Sequence, residues 1–174
     1  MQVSERSRHG GVDRIPLPLD QGALWLCGKH FVGPDAEAAM QQVGATTVVC
    51  LNQRAELEVR YPDYVAWLQH QTPQRAVWFP IPDLGAPPID AAAGLIVDLH
   101  SRIARGDTLL VHCGAGIGRA GTMAAALLMA MGFERERAVA HVGAHRPMAG
   151  PEAGAQRELL EALARTLPQT LPKS

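Results

Sequence analysis

The chain has 174 residues, 47% of them hydrophobic, enough for one domain with a full core and too apolar for a disordered chain. A formal net charge of −1 with no Lys/Arg run argues against nucleic acid as a main partner. Three cysteines without paired spacing make no disulfide framework, no apolar run is long enough to span a membrane, and the N-terminus lacks a signal-peptide core, so the expectation is a soluble cytoplasmic protein with no membrane partner.

Residues 1–15 are polar and aperiodic and read as a mobile N-terminal tail, ahead of a single domain over 16–174. Ala23 to Cys27 reads as a strand. Gly33-Pro34 opens a helix that runs to about Val43 and stops at Gly44. Thr46 to Cys50 is β-branched and reads as a strand. Arg54 to Arg60 is a loop or short helix, and Pro62 starts a helix to about Gln71. Ala76 to Phe79 is a further strand, leading into a proline-rich loop over 80–88. A long helix follows from about Asp90 to Arg105, with Leu95, Ile96, Leu99 and Ile103 at helical spacing and Gly106 closing it. After Gly132 come a helix over Arg135–His145, ended by Arg146-Pro147, and a last amphipathic helix opened by Pro151, with Leu159, Leu160, Leu163 and Leu167 as its inner stripe. Strands alternating with helices predict an α/β domain, a mainly parallel sheet with helices on both faces. The sequence carries no signal for an oligomeric state.

The most informative stretch lies between those last helices and the long one. Leu109, Leu110 and Val111 form the short apolar run of a strand buried on both faces. Gly114, Ala115, Gly116, Ile117 and Gly118 make a loop too glycine-rich for regular structure. A nearly all-apolar helix then begins at Arg119. A loop entering a helix gathers backbone N–H groups and the positive end of the helix dipole into one concavity, which suits an anion. Cys113 opens the loop and Arg119 ends it, with five residues between. Such surroundings favour a thiolate, the nucleophilic form of cysteine. The guanidinium of Arg119 can grip two phosphate oxygens with its planar fork. The plainer alternative is a buried structural cysteine beside a packing loop.

His112-Cys113-Gly114-Ala115-Gly116-Ile117-Gly118-Arg119 resembles the signature loop of the cysteine-dependent protein phosphatases, and most closely the dual-specificity branch and its kinase-associated type. Cys50 to Leu57 and Pro80 to Pro87 look like further segments of that type, and the resemblance covers about residues 23–166. It implies a protein tyrosine phosphatase-like fold. It also implies two-step phosphomonoester hydrolysis: Cys113 attacks phosphorus, Asp83 protonates the leaving oxygen, and Asp83 then activates water to release phosphate. Arg119 and the loop amides hold the equatorial oxygens. They supply the positive field, so no metal or cofactor is called for. The expected partner is a phosphorylated protein or a small phosphoester.

Other residues take supporting roles under the same resemblance. His112 arranges the loop. Glu56 braces Arg119, against the alternative of a solvated surface glutamate. Gln156 positions the hydrolytic water, and Arg146 adds to the pocket rim. Cys50 is a possible redox partner of Cys113, against the alternative of a buried apolar cysteine. Asp20, Asp35, Asp63 and Asp90 sit at turns or helix starts. His141 and His145, four apart, read as a solvated helix face rather than metal ligands. One position departs from the family: Ala120 stands where Ser or Thr usually follows the loop arginine, a hydroxyl thought to stabilise the departing thiolate. The loop interior carries no lysine, unlike polyphosphoinositide phosphatases of the superfamily, which favours a phosphoprotein. The competing readings are a phosphoinositide or small-phosphoester phosphatase, a sulfur transferase, and a phosphate-reading module with weak or no catalysis.

Overall fold

The computed structural model describes residues 5–170. Four parallel strands, β2 (Ala23–Gly28), β3 (Thr47–Cys50), β4 (Ala76–Trp78) and β5 (Thr108–Cys113), form one sheet with an antiparallel edge strand, β1 (Val12–Ile15), in the order β1-β2-β5-β3-β4. The strand that ends in Cys113 is therefore central. Its neighbours Leu26 and Val49 both pair with Val111, and Leu109 to Cys113 are all buried, as an apolar run with no polar alternation requires.

Alternation along the strands sends side chains into two separate layers. On one side α2 (Lys29–Val32), α3 (Ala36–Val43) and α4 (Pro62–Gln71) cover Cys27, Val48, Cys50 and Leu110. On the other, α5 (Ile89–Ala104), α6 (Gly118–Ala130), α7 (Arg135–His145) and α8 (Gly154–Thr170) cover Leu24, Leu26, Val49 and Val111. Helix α6 is buried without a break from Gly118 to Leu128 because α5, α7 and α8 all pack on it. An all-apolar helix is stable in water only when surrounded in this way. The inner stripe of α8, Leu159, Leu160, Leu163 and Leu167, is buried as its spacing predicts.

Local signals account for the boundaries. Asp35 caps α3 by accepting a hydrogen bond from the Ala38 amide at 3.0 Å. Gly44 ends the same helix at φ 70°, a left-handed position that glycine occupies without strain. Pro62 stands at the first turn of α4.

The expected mobile tail is corrected in part. Residues 1–4 lie outside the described ones, as do 171–174 of the expected domain, but Glu5–His9 is a short helix, α1, and Val12–Ile15 pairs with β2. Ile15 is fully buried, and a single well-packed apolar residue between polar neighbours is too short a pattern to read as a strand.

The carboxyl ends of β5, β3 and β4 converge on one edge of the sheet. Chain connections leave in opposite directions around β5, which is where parallel sheets of this kind open a ligand crevice.

Candidate active site

The glycine loop after β5 is built from its carbonyl groups outward. Each carbonyl from Cys113 to Gly118 has a partner on the protein side. Cys113 O faces His112 Nδ1 at 3.3 Å, and Gly114 O accepts from the Lys29 amide at 3.0 Å. Ala115 O and Gly116 O accept from Arg146 Nη2 and Nε at 2.9 and 2.8 Å. Ile117 O accepts from the Gly150 and Gly121 amides, both at 3.0 Å, and Gly118 O from Thr122 Oγ1 at 2.7 Å. In a trans peptide the N–H points away from the carbonyl. Turning the carbonyls out therefore turns the amides toward the concavity, and among the described residues no amide from Gly114 to Arg119 has a protein acceptor in the loop. That is an anion cradle.

Gly116 is required in it. Its φ is +73°, and a Cβ there would lie 2.2 Å from the carbonyl oxygen of Cys27. Arg146 itself is almost wholly buried and is held by Asp13 Oδ2 at 2.8 Å and Gly11 O at 3.3 Å. It supports the loop from beneath rather than forming the pocket rim.

Arg119 is buried at 4% exposure and has a fixed orientation. Its two terminal nitrogens each meet an oxygen of Glu56 at 2.8 Å, and Nη1 also donates to Ile81 O at 2.8 Å. Burial alone would raise the Glu56 carboxyl, but the hydrogen bond from Arg119, with the Gln53 amide, the guanidinium charge and Asn52, outweighs it and leaves the group below its ordinary value. Glu56 is thus the brace of the loop arginine. Asp83 stands at the mouth, with its side chain 74% exposed, its Oδ1 3.5 Å from Arg119 Nη2 and 3.0 Å from the Leu84 amide that it accepts from. The cavity enclosed by these groups measures about 700 Å³ and has Cys113, Gly118, Arg119, Asp83, Leu84 and Glu152 among its lining.

His112 points to the opposite layer from Cys113. Its Nε2 meets the Tyr64 hydroxyl at 2.5 Å. Burial lowers its pKa to about 4, so it is a neutral ring that ties the loop to α4 and carries no substrate proton.

Residues 24–166 match the family model described as the Swiss Army Knife protein DSP-PTPase phosphatase domain. The chain belongs to this family. No curated protein matches it. Among solved structures, Tk-PTP in its active form is 26% identical, with a TM-score of 0.65 over 84% of this chain and 93% of that one. The kinase-associated phosphatase gives a TM-score of 0.76 at 22% identity, over 92% and 97% of the two chains. PTPMT1 in complex with PI(5)P gives 0.70 at 17% identity, over 83% and 92%. The last two show a shared fold.

Two residues given supporting roles by the sequence, Gln156 and Cys50, are buried in this phosphatase domain. Gln156 is 1% exposed and has both ends of its amide occupied. Its Oε1 accepts from the Glu152 amide at 2.8 Å and its Nε2 donates to Gly85 O at 3.3 Å. It tethers the loop carrying Asp83 to the start of α8, and one N–H and one oxygen lone pair of the amide remain beyond these two bonds. Cys50 pairs in register with His112, and its side chain enters the layer of α3 and α4, whereas that of Cys113 enters the other. Burial pushes the Cys50 thiol up to about 12. A disulfide between the two would have to cross the sheet, so the structure favours Cys50 as a buried apolar residue. Cys27 shares that layer. His141 Nε2 donates to Pro16 O, and His145 Nδ1 to His141 O, both at 2.8 Å.

Tyr64 and Glu152 were not singled out in the sequence. A tyrosine inside an amphipathic helix and a glutamate after a proline look like ordinary core and surface residues, and only the tertiary contact makes them otherwise.

The depressed His112 gives a pH signature. Its pKa of about 4 in the folded chain lies below the ordinary imidazole value of 6.5, so between these limits the unfolded chain binds a proton that the folded chain does not. Stability is complete above pH 6.5 and falls as pH drops toward 4. Urea midpoints should show wild type losing about 3 kcal/mol more than His112→Asn across that window. Equal losses would contradict the buried neutral ring.

Proposed function

We propose that the protein hydrolyses phosphomonoesters on phosphoproteins, as a dual-specificity phosphatase working through a cysteinyl phosphate on Cys113. The observation that carries this reading is the cradle: outward carbonyls from 113 to 118, a sulfur at its start and a braced guanidinium at its end. A tetrahedral dianion held there meets backbone amides and Arg119, and its phosphorus faces Cys113. In the first step the Cys113 sulfur bonds to phosphorus as the P–O bond to the alcohol breaks, and Asp83 gives that oxygen its proton. The amides and Arg119 stabilise the charge on the three equatorial oxygens. In the second step Asp83, now ionised, takes a proton from water as the water oxygen bonds to phosphorus, the P–S bond breaks, and the sulfur leaves as thiolate.

The placement of Asp83 at the mouth, anchored on both sides by Ile81 on Arg119 and Gly85 on Gln156, supports its part in the first step. The loop interior Gly-Ala-Gly-Ile-Gly, which has no basic side chain, supports a phosphoprotein. One observation favours the second reading, a phosphoinositide or another small phosphoester: Arg6, Arg8 and Lys29 also line the cavity and would suit a further anionic group. PTPMT1, a neighbour in fold, is described in complex with PI(5)P.

The test is a panel of para-nitrophenyl phosphate, phosphotyrosyl and phosphothreonyl peptides and phosphoinositides. Wild type should release phosphate from the peptides, and Cys113→Ser should abolish turnover on every substrate. Asp83→Asn should slow phosphopeptide turnover about 100-fold, and para-nitrophenyl phosphate much less because its leaving group needs little protonation. Activity retained by Cys113→Ser would overturn the reading; activity confined to phosphoinositides would select the second one.

Ala120 bears on the second step. It is fully buried in α6, and the nearby Thr122 hydroxyl is committed to Gly118 O, so neither offers a free hydroxyl to the departing sulfur. Stopped-flow traces with para-nitrophenyl phosphate should show a burst, and Ala120→Ser should raise the steady-state rate several-fold, on the order of one added hydrogen bond to a charged group. An unchanged or lower rate would contradict this role of the missing hydroxyl.

A further inference from the structure

Asn52 follows β3 and is fully buried, although its side chain is polar. Its carbonyl accepts from Trp78 Nε1 at 2.8 Å. Its side chain does not turn back onto its own backbone, as turn asparagines commonly do. Nδ2 instead donates to Glu56 Oε1 at 3.0 Å, and Oδ1 has no hydrogen-bond partner among the described residues. A buried acceptor left unpaired costs stability, and an apolar residue would avoid that cost. Reversing the amide would not repair it, because the amide oxygen would then face the Glu56 carboxylate. What this position supplies is the donor.

The partners of Glu56 show what that donor completes. An ionised carboxylate has about four acceptor sites on its two oxygens. Oε2 takes the Gln53 amide at 2.7 Å and Arg119 Nη1 at 2.8 Å. Oε1 takes Asn52 Nδ2 at 3.0 Å and Arg119 Nη2 at 2.8 Å. Nη2 is the nitrogen nearest the cradle: it lies 3.5 Å from Asp83 Oδ1, and a Cβ at Gly114 would lie 3.4 Å from it. Asn52 therefore shares an oxygen with the guanidinium nitrogen closest to where a phosphate would sit.

We propose that Asn52 is a positioning residue for Arg119, acting through Glu56, whose carboxylate plane its side-chain N–H fixes; this rests on the phosphatase reading above. The terminal torsion of a glutamate is broad. Held at one oxygen by Gln53 alone, the carboxylate could turn, and the planar guanidinium paired with it would turn too. Asp83 would then compete for Nη2 from 3.5 Å away. The second anchor prevents both movements. The contacts close a ring through β4: Trp78 holds Asn52, Asn52 holds Glu56, Glu56 holds Arg119, and Arg119 Nη1 donates to Ile81 O just after the strand.

The experiment is a double-mutant cycle on kcat/KM for para-nitrophenyl phosphate, using wild type, Asn52→Leu, Glu56→Ala and the double variant, each checked for folding by near-ultraviolet circular dichroism. Leucine keeps the branched shape and removes the donor. Asn52→Leu should lower kcat/KM about tenfold, on the order of one hydrogen bond to a charged group. In the Glu56→Ala background, where Asn52 has nothing to hold, the same change should alter it by less than about twofold. If Asn52→Leu does not fold, Asn52→Ser, whose hydroxyl is one bond shorter, takes its place in the cycle. An unchanged kcat/KM in the single variant would overturn the proposal. So would an equal loss with and without Glu56, which would make Asn52 a residue of the fold alone. A wild type with no activity would end the phosphatase reading and this role with it, whereas an active wild type with additive losses removes only the role of Asn52.

Discussion

The site depends on one buried guanidinium beneath it. Arg146 takes two adjacent loop carbonyls, of Ala115 and Gly116, and is neutralised by Asp13. A charge removed from water is stable only if paired and fully hydrogen-bonded, so the loop carbonyls and the Asp13 carboxylate are as necessary to Arg146 as it is to them. The result is a loop whose amides face the solvent cavity because its carbonyls are held on the protein side. Amides oriented in this way by the protein's own hydrogen bonds need little reorganisation when charge arrives, which is the condition under which backbone dipoles help a transition state most.

The partners come from distant parts of the chain. Asp13 lies in the edge strand, Arg146 after α7, Lys29 after β2, and Gly150 just before α8. The edge strand therefore does more than extend the sheet: it delivers the counter-charge. A second set of contacts does the same for Arg119, which gathers Glu56 from the turn after β3 and Ile81 from the loop after β4. Arg119 thereby binds the ends of β3, β4 and β5 to one another and Arg146 adds the edge strand, so the groups that would meet a phosphate are held by the protein's own contacts.

Much of this was legible in the sequence where the pattern is local. The glycines of the loop, the apolar run of β5 and the all-apolar α6 each carry their own signal, and the order of strands and helices implied the parallel sheet. Glu56, read as either a brace or a surface residue, was decided by a contact spanning 63 positions. Gln156 was expected to position the hydrolytic water, and its burial against Gly85, which the sequence did not signal, depends on how α8 seats beside the Asp83 loop. The Cys50–Cys113 idea rested on neighbouring strands and overlooked alternation, which sends adjacent register positions to opposite faces. Val12–Ile15 escaped notice because an edge strand with one buried apolar residue resembles a tail until its partner strand is known.

The claim that Arg146 holds the cradle open is tested most directly by titrating tungstate, a tetrahedral dianion, into wild type and Arg146→Met by calorimetry, at a temperature where near-ultraviolet circular dichroism shows the variant folded. Wild type should bind, and the variant should bind about 100-fold more weakly although Cys113 and Arg119 are untouched. Equal affinity would mean that the loop amides face the cavity without Arg146, and the account of the site would fail.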